Sequence, residues 1–403
     1  MNIAVHSSLK GGHVPRETFP GLSPEPAFPE DEFHRRIKQI RSRMRDAKID
    51  VIVIKHPAHL FYVTGFQSLA MYEDGAAILP LDDDPTLILH PPELGTAMLH
   101  SWVGTLKGFP PEHSHAQYLA QELSMTGHAQ ARIGLEMLSP GVSAGFVRDL
   151  QSVLPQATFH DASGVIEDVK RIKSSAEIAH LRQAAHFTDQ AMAAAINAAE
   201  VGSTDNDVAA AAAQAMVTAG SEAPCMSPIV TSGRRSGILH STHKRIPLDA
   251  GDPVFIELGG CYQRYTSPLI RTLSLGDPSS EFRAAADACL AALNAVITTV
   301  KPGISAASVA ERGWEEISRA GSDFVFHGNF GYTVGAGFPP SWADGTGLLE
   351  LEQDMILEAG MVFHHPVAIR RLGRFAVGFS ETTVVTPDGC EVLTTTPREL
   401  ALR

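Results

Sequence analysis

Side chains able to do chemistry are concentrated in the second half of the chain, beside apolar strand patterns. Glu257 stands near the end of the segment Val254–Leu258, which Gly259 and Gly260 follow directly. Glycines at a strand end let another group approach the backbone closely, and an unpaired carboxylate is costly to bury. Glu257 is therefore predicted to be a nucleophile or general base, with an ion pair to an arginine as the structural alternative.

A histidine precedes this carboxylate by 17 positions, in the segment Gly237-Ile238-Leu239-His240-Ser241-Thr242-His243. An imidazole near a carboxylate can shuttle protons at neutral pH. His240 is therefore a candidate proton shuttle, and a structural histidine with satisfied hydrogen bonds is the alternative.

A metal site is a further possibility raised by residue type alone. Histidine and carboxylate ligands suit zinc or manganese, but the spacings here match no ligand pattern. The carboxylates are too few for a two-metal site, which favours several bridging oxygens. The residues alone thus indicate a buried histidine–glutamate site in an α/β domain; the set considered is His240, His243, Glu257, His364 and Glu381.

The elements of the first half alternate between helix and strand patterns. The first 30 residues contain five prolines and no apolar periodicity, which predicts an extended arm. From Asp31, apolar residues recur at three- and four-residue steps, which predicts a helix, and the run Val51–Ile54 then predicts a buried strand. This alternation predicts a small α/β domain; further strands are predicted at Ala76–Leu79, Thr86–His90 and Arg132–Glu136.

The second half begins with helix-start signals. Ser174 with Glu177, and Thr204 with Asp207, form two capping-box patterns that predict consecutive helices. Two helix pairs, each followed by strands, indicate an α/β duplication that encloses a site between its halves. The predicted elements after the first helix pair are strands at Pro253–Leu258 and Leu269–Leu275, helices near Ser280–Val300 and Ser305–Ala320, and strands near Met361–His364 and Thr382–Thr386.

Composition limits the class of protein. The 403 residues favour two domains, and the net charge of −13, with no basic run, argues against a nucleic-acid partner. No segment approaches the roughly 20 apolar residues of a membrane span, and the N-terminus lacks a signal-peptide core. A cytoplasmic protein acting on a small molecule, with no membrane partner, is expected.

Four ordered segments resemble signatures of the creatinase/aminopeptidase P/prolidase family, whose catalytic domain has the pita-bread fold. The resemblance implies an α/β (α+β) protein and a homodimer. It divides the chain into an N-terminal arm at 1–30, a small creatinase-type α/β domain at 31–165 and a pita-bread catalytic domain at 166–403. The segments are Gly251–Gly259, Tyr265–Thr272, Leu357–Phe363 and Phe379–Thr386.

The metallopeptidases of this family bind two metal ions through five side chains. Proline has no side-chain ligand atom, and tyrosine cannot replace imidazole at a divalent site without a large loss of affinity. The resemblance therefore implies that this chain has no catalytic metal and no other cofactor. In family order, the five positions are here Glu257, Pro268, Tyr332, Pro366 and Glu381, of which the last is unchanged.

Metal-independent members of the family guide the functional prediction. His240 falls where creatinase has its catalytic histidine, but Ile270 replaces the substrate-binding glutamate of creatinase. Ectoine hydrolases are more similar around Tyr262, Pro339–Trp342 and Pro397–Leu400. This resemblance implies hydrolysis of a non-peptide C–N bond, with ectoine ring opening to acetyl-diaminobutyrate as the predicted reaction. The alternatives are a creatinase-like amidinohydrolase, an Xaa-Pro dipeptidase-like enzyme and an inactive small-molecule binding protein.

Roles follow from the chemistry of an amidine, which needs attack on carbon, stabilisation of a tetrahedral intermediate and a proton for the leaving nitrogen. Glu257 is predicted to attack or activate water and His240 to move protons. Glu381 is predicted to anchor the amidinium or the leaving amine, and His364 and Tyr332 to donate hydrogen bonds to the intermediate. The predicted substrate-binding residues also include Arg264, Arg271, Trp342, Tyr262 and Phe66.

Some of these roles have structural alternatives. Arg264 and Arg271 suit bidentate carboxylate binding, but they equally suit ion pairs with buried acids of the protein. Trp342 suits either packing on the substrate ring or capping of the core. The segment Gln67–Tyr72 differs from the aromatic-rich sequence of ectoine hydrolases, and the resemblance makes it a place where substrate preference differs.

Overall fold

A computed structural model of the protein describes residues 12–13, 23–68, 75–110, 114–326 and 328–403. Most of the predicted N-terminal arm, and positions 69–72 of the segment expected to differ in substrate preference, lie outside these residues. The chain divides into two units after Val169, and the boundary predicted from the sequence falls after Val165. The mixed α/β class predicted from the sequence is confirmed.

Unit 1 is organised around a sheet in which the predicted Val51–Ile54 is an inner strand, with all four residues buried. The first helix carries acidic residues in its first turn and arginines in its last, which complements the helix dipole. Its helices are α1 (Glu30–Asp46), α2 (Pro57–Thr64), α3 (Leu94–His100), α4 (His115–Met125) and α5 (Ala144–Val153), with α6 (Glu167–Lys170) at the division; its strands are β1 (Gly12–His13), β2 (Val51–Ile54), β3 (Ala76–Pro80), β4 (Thr86–Leu89), β5 (Thr105–Gly108), β6 (Arg132–Leu135) and β7 (Thr158–Asp161).

The described strands of unit 1 form one seven-stranded sheet in the order β1-β5-β4-β3-β2-β6-β7. Strand β2 pairs antiparallel with β3 and parallel with β6. Apolar side chains of these strands pack against α4 and α5 in one core that contains Val53, Ile78, Leu119 and Leu150. The sheet is therefore a mixed one, as the alternation of elements predicted.

Unit 2 contains two long helix pairs and a larger sheet. Both predicted capping boxes are present, with Ser174 and Glu177 beginning the first helix and Thr204 and Asp207 beginning the second. Its helices are α7 (Ser175–Ala198), α8 (Asp205–Thr218), α9 (Ser280–Thr299) and α10 (Ala306–Ile317); its strands are β8 (Ile229–Ser232), β9 (Pro253–Tyr262), β10 (Tyr265–Ser274), β11 (Tyr332–Phe338), β12 (Ser341–Leu348), β13 (Val362–His364), β14 (Val367–Arg371), β15 (Phe375–Phe379), β16 (Thr382–Thr386), β17 (Gly389–Val392) and β18 (Ala401–Leu402).

The described strands of this unit form a nine-stranded sheet, and β14 and β15 form a separate two-stranded sheet. The main path runs β17-β16-β13-β11-β10-β9-β8, with β12 on β11 and β18 on β10. Helices α7 and α8 share a core with β8 to β10, whereas α9 and α10 pack on a second core with β13 to β15. Within the described residues, no helix combines the length and apolar character needed to cross a bilayer.

The hairpin of β9 and β10 is fixed to α7 by one threonine. The Thr188 hydroxyl accepts a hydrogen bond from Gly260 N–H at 2.8 Å and donates one to the Ser267 carbonyl at 2.7 Å. The helix approaches so closely that a Cβ atom at position 260 would lie 2.7 Å from Phe187 Cβ, which only glycine avoids. This contact holds in place the strand that carries Glu257.

Candidate active site

Glu257 lies on β9, which is the middle one of three paired strands. In the β8-β9-β10 ladder it stands opposite Ile229 on one side and Ile270 on the other. Its side chain is half-buried and lines a cavity of about 330 Å³. Residues from the predicted site that share this cavity are His240, Glu257 and Tyr332, and Ile270, Pro366 and Arg370 lie there with them.

The carboxyl group of Glu257 has an unusual environment. No described residue donates a hydrogen bond to it or forms an ion pair with it, although Arg370 acts on it through space. Burial raises the pKa of Glu257 to about 7, and the charge of Arg370 opposes that rise. A carboxyl group that titrates near neutrality is well matched to accept a proton at physiological pH.

Tyr332 and His364 meet because β11 and β13 pair with these two residues opposite each other. The Tyr332 hydroxyl lies 2.8 Å from Nδ1 of His364 and accepts a hydrogen bond from Trp342 Nε1 at 2.7 Å. The other ring nitrogen of His364 lies 2.7 Å from the Ser380 hydroxyl. Burial holds the pKa of His364 well below its usual range, so the ring is neutral and carries one proton.

The hydrogen-bond partners of Ser380 and His364 decide which ring nitrogen of His364 carries that proton. Ser380 already accepts the backbone N–H of Ile270 at 2.6 Å, so its own proton needs an acceptor, and in the described structure Nε2 of His364 is the one available. Nδ1 of His364 then donates to the Tyr332 oxygen, so that the protons of Ser380 and His364 both have an acceptor. The remaining proton is that of Tyr332, which lines the cavity and has Glu257 as its charged neighbour.

Arg370 is a charged residue of the cavity that was not among the predictions. It is 6% exposed, lies on β14, and holds its guanidinium carbon 5.7 Å from the centre of the Phe255 ring. A signal for it exists in the sequence, since Arg370 follows the apolar run Val367–Ile369 just as Glu257 follows Val254–Ile256.

The two arginines predicted to bind substrate have other partners. Arg264 occupies the turn between β9 and β10 with a φ of 68° and donates to the Gly337 carbonyl at 2.9 Å. Arg271 donates to the carbonyl oxygens of Thr396 and Ser380, both at 2.7 Å. Among the described residues that line the cavity, neither arginine is included.

Glu381, predicted as a second catalytic carboxylate, also has structural partners. It forms an ion pair with Arg271 at 2.7 Å, accepts a hydrogen bond from Thr394 and lies 3.4 Å from Arg398. Only 1% of its surface is exposed, and it is absent from the described cavity lining. The arrangement matches the structural alternative given for Arg271, an ion pair with a buried acid.

The other predicted residues take varied positions. His240 lies at the cavity wall, is exposed and has a φ of 58°. Tyr262 packs edge-on against His180 with ring centroids 5.0 Å apart. Trp342 reaches the site through its hydrogen bond to Tyr332. Phe66 is buried within unit 1.

The five positions implied as metal ligands do not fit a divalent cation. Glu257 is the one carboxylate among those that line the described cavity, and Pro366 beside it has no ligand atom in its side chain. Burial beside Glu257 raises the pKa of the Tyr332 phenol well above its usual value, which disfavours the phenolate that would bind a metal. Pro268 stands opposite Gly259 within the sheet, and the carboxylate of Glu381 is bonded to Arg271. Two metal ions need more anionic oxygens than this set provides.

Comparison with family models matches both units. Residues 36–172 match the Creatinase/Prolidase N-terminal domain, and residues 179–387 match Metallopeptidase family M24.

Relatives with different reactions are similar to the chain to the same degree. The ectoine hydrolase of Halomonas elongata is 27% identical, covering 93% of this chain and 98% of its own length. The Xaa-Pro dipeptidase of Pyrococcus horikoshii is also 27% identical, covering 92% of this chain and 99% of its own length. The solved structure of the Pyrococcus horikoshii prolidase is 26% identical, with a TM-score of 0.80 over 91% of this chain and 99% of that one.

Proposed function

The chain belongs to Metallopeptidase family M24 and carries a creatinase/prolidase N-terminal domain, and from that premise we propose that it is a hydrolase of a non-peptide C–N bond in a small amidine, with ectoine as the substrate. The observation that supports this proposal most is the carboxyl group of Glu257, which has a pKa of about 7. It lines the same cavity as Tyr332 and Pro366. These two residues stand at metal-ligand positions of the family. The proposed reaction uses the carboxylate and no metal ion.

An amidinium ion suits this site because its own carbon atom is the electrophile. Its central carbon is planar and cationic, so it needs no metal to polarise it, and a nearby carboxylate stabilises it. Glu257 either attacks that carbon through Oε or removes a proton from a water molecule that attacks it. Both routes form a C–O bond and a tetrahedral carbon that carries two nitrogen atoms.

Collapse of the tetrahedral carbon breaks one C–N bond, and the departing nitrogen needs a proton. The Tyr332 hydroxyl is the donor placed for this, because its oxygen already accepts bonds from Trp342 and His364 and its proton is directed to the cavity. His240, exposed at the cavity wall, returns a proton from solvent. On the direct route this collapse leaves an imidoyl ester on Glu257, and water then attacks the carboxyl carbon of that ester, which releases the product amide and restores the Glu257 carboxylate with one oxygen from water. Either route opens the ectoine ring to an acetyl-diaminobutyrate.

A peptide bond is a poorer substrate for the same groups. Its carbonyl is neutral and its amine is a poor leaving group, which is why peptidases of this kind rely on a metal ion. We therefore expect no cleavage of an Xaa-Pro dipeptide, with or without added manganese.

Proton NMR of ectoine and of alanyl-proline, incubated separately with chelator-treated protein, tests the proposal. Ring-opened acetyl-diaminobutyrate with intact alanyl-proline is the expected result, and added manganese should change neither rate. Metal-dependent cleavage of alanyl-proline with intact ectoine would instead establish a dipeptidase.

The Glu257→Gln variant tests the alternative that the chain is a small-molecule binding protein without activity. An enzyme loses turnover with this change and keeps ligand binding, whereas a binding protein has no turnover to lose. Single-turnover reaction in ¹⁸O-labelled water separates the two routes, because direct attack transfers the label into the Glu257 carboxyl group.

A further inference from the structure

Two isoleucine side chains flank Glu257 in the wall of the cavity. Ile229 on β8 and Ile270 on β10 stand opposite Glu257, and all three residues line the cavity. Side chains that stand directly opposite each other on one face of a sheet have Cβ atoms about 4.5–5.5 Å apart. The carboxylate proposed to react therefore lies in a row of the sheet that is apolar on both sides.

This row belongs to the cavity and not to the core on the other face of the sheet. Successive side chains of a strand point to opposite faces. Ile256 and Leu269, which adjoin the row along β9 and β10, are part of the core shared with α7 and α8. Ile270 packs instead with Phe255 and Ala368, which also line the cavity. The apolar surface beside Glu257 is thus in a position to contact a bound substrate.

Hydrogen-bond acceptors for a substrate lie elsewhere in the cavity. The carbonyl oxygen of Ile270 already accepts from Arg271 Nη1 at 2.8 Å and from Ser380 N–H at 3.2 Å. Asn329, by contrast, lines the cavity with a buried Oδ1 atom that has no hydrogen-bond donor among the described residues. The wall therefore offers an acceptor at Asn329 and apolar contact at the isoleucine row.

The direction of attack decides which part of the substrate meets each wall. An oxygen atom that attacks a planar amidine carbon must approach it from above or below the plane, with the reacting atoms about 3–3.5 Å apart. The three groups on that carbon then spread sideways around the Glu257 carboxylate. An N–H group suits the Asn329 side chain, whereas the groups beside Ile229 and Ile270 must be apolar to avoid losing a hydrogen bond.

We propose that Ile229 and Ile270 hold an alkyl group on the reacting carbon of the substrate, so that the site selects amidines with such a group and discriminates against guanidines. This inference rests on the proposed function and specifies the substrate class of the same site. A methyl group gains free energy when it is buried against isoleucine. The amino group that a guanidine carries at the same place would leave N–H donors without acceptors.

The test compares three ligands that share one ring and one carboxylate. They are ectoine, the analogue with hydrogen in place of the methyl group, and the cyclic guanidine with an amino group there. Isothermal titration calorimetry uses the Glu257→Gln protein, in which pairing of a guanidinium with the carboxylate cannot mask the contribution of the wall. We expect the hydrogen analogue to bind about 3- to 10-fold, and the guanidine about 10- to 100-fold, more weakly than ectoine.

Threonine substitutions locate the preference. Ile270→Thr, made in the Glu257→Gln protein, places a hydroxyl group in the row and should reduce the preference for ectoine over the guanidine by about 10-fold. Ile229→Thr should act in the same direction. Ile196→Thr is the matched control and should leave the preference unchanged, because Ile196 is partly buried against the core on the other face and is absent from the described cavity lining.

Three results would overturn the inference. They are equal or tighter binding of the guanidine, a preference that survives both threonine substitutions in the row, and no binding of any of the three ligands. If Ile270→Thr does not fold, the three-ligand comparison and Ile229→Thr decide.

Rates with the unsubstituted enzyme separate this inference from the proposed function. Ectoine hydrolysis without a preference for the methyl group would leave the reaction standing and remove the role of Ile229 and Ile270. A preference that depends on these two residues, with ectoine bound but not hydrolysed, would keep the selection of alkyl amidines and remove the proposed reaction.

Discussion

Tyr332 and His364 are cross-strand neighbours whose side chains join through a hydrogen bond of 2.8 Å between the phenol oxygen and Nδ1. Because the ring is neutral and its other nitrogen is bonded to Ser380, the pair leaves the phenol proton for the cavity. The proposed catalytic role of Tyr332 therefore depends on the tautomer of His364, which lies behind it.

Tyr332→Phe is expected to lower kcat for ectoine by about 10²-fold or more, as loss of a positioned proton donor does, with little change in KM. Steady-state kinetics of the variant measures both. Tyr265→Phe is the matched control, because it removes a buried O–H bond to Glu177 of 2.8 Å. It should lower the melting temperature and leave kcat unaltered. An unchanged kcat in Tyr332→Phe contradicts the proposed donor role.

The rate of ectoine hydrolysis should rise with pH through about 7 and then level off, since Glu257 acts as the carboxylate and its pKa lies near that value. Arg370 lowers the pKa of Glu257, so Arg370→Met should move this limb of the kcat profile to higher pH. Profiles of kcat over pH 5 to 9 check both statements, with Arg371→Met as the control. A limb that stays in place would show that Arg370 does not act on Glu257.

Glu257→Gln should stabilise the protein at pH 8 and have less effect at pH 5. The folded-state pKa of about 7 exceeds the ordinary 4.5, so folding favours the protonated group. Its stabilising contribution is full below 4.5 and is lost as pH rises through 7. The gain at pH 8 should be on the order of 1 kcal/mol, allowing for water in the cavity. Chemical unfolding at the two pH values measures it, and equal effects would argue against the raised pKa.

His365 should make the protein less stable in mild acid. Its Nδ1–H donates to the Phe330 carbonyl at 3.0 Å, its Nε2 accepts from Thr383 at 2.8 Å, and burial lowers its pKa to about 4. The unfolded residue gains a proton below its ordinary 6.5, so stability falls as pH drops from 6.5 to 4. His365→Gln should flatten this part of the stability curve, measured by urea unfolding. His160, exposed in unit 1, supplies the control substitution.

The sequence predicted the elements and part of the site because those signals are local. The capping boxes at Ser174 and Thr204 begin helices where expected, and Glu257, His240 and Tyr332 share one cavity. The role of each arginine was not predictable in this way. Arg271 donates to carbonyl oxygens 125 and 126 positions away, so its partners are decided by the path of the C-terminal segment. Arg370 and Arg371 are neighbours on β14, and the sequence alone does not show which of the two lies at the cavity.

The Thr188 hydroxyl, which links α7 to both strands of the Glu257 hairpin, has a consequence for the rate. Because that link forms during folding, the strand that carries the proposed catalytic carboxylate is preorganised, and entry of a substrate does not have to reshape it. Loosening the link by Thr188→Val should therefore appear as a higher activation entropy cost, even though residue 188 never touches the substrate.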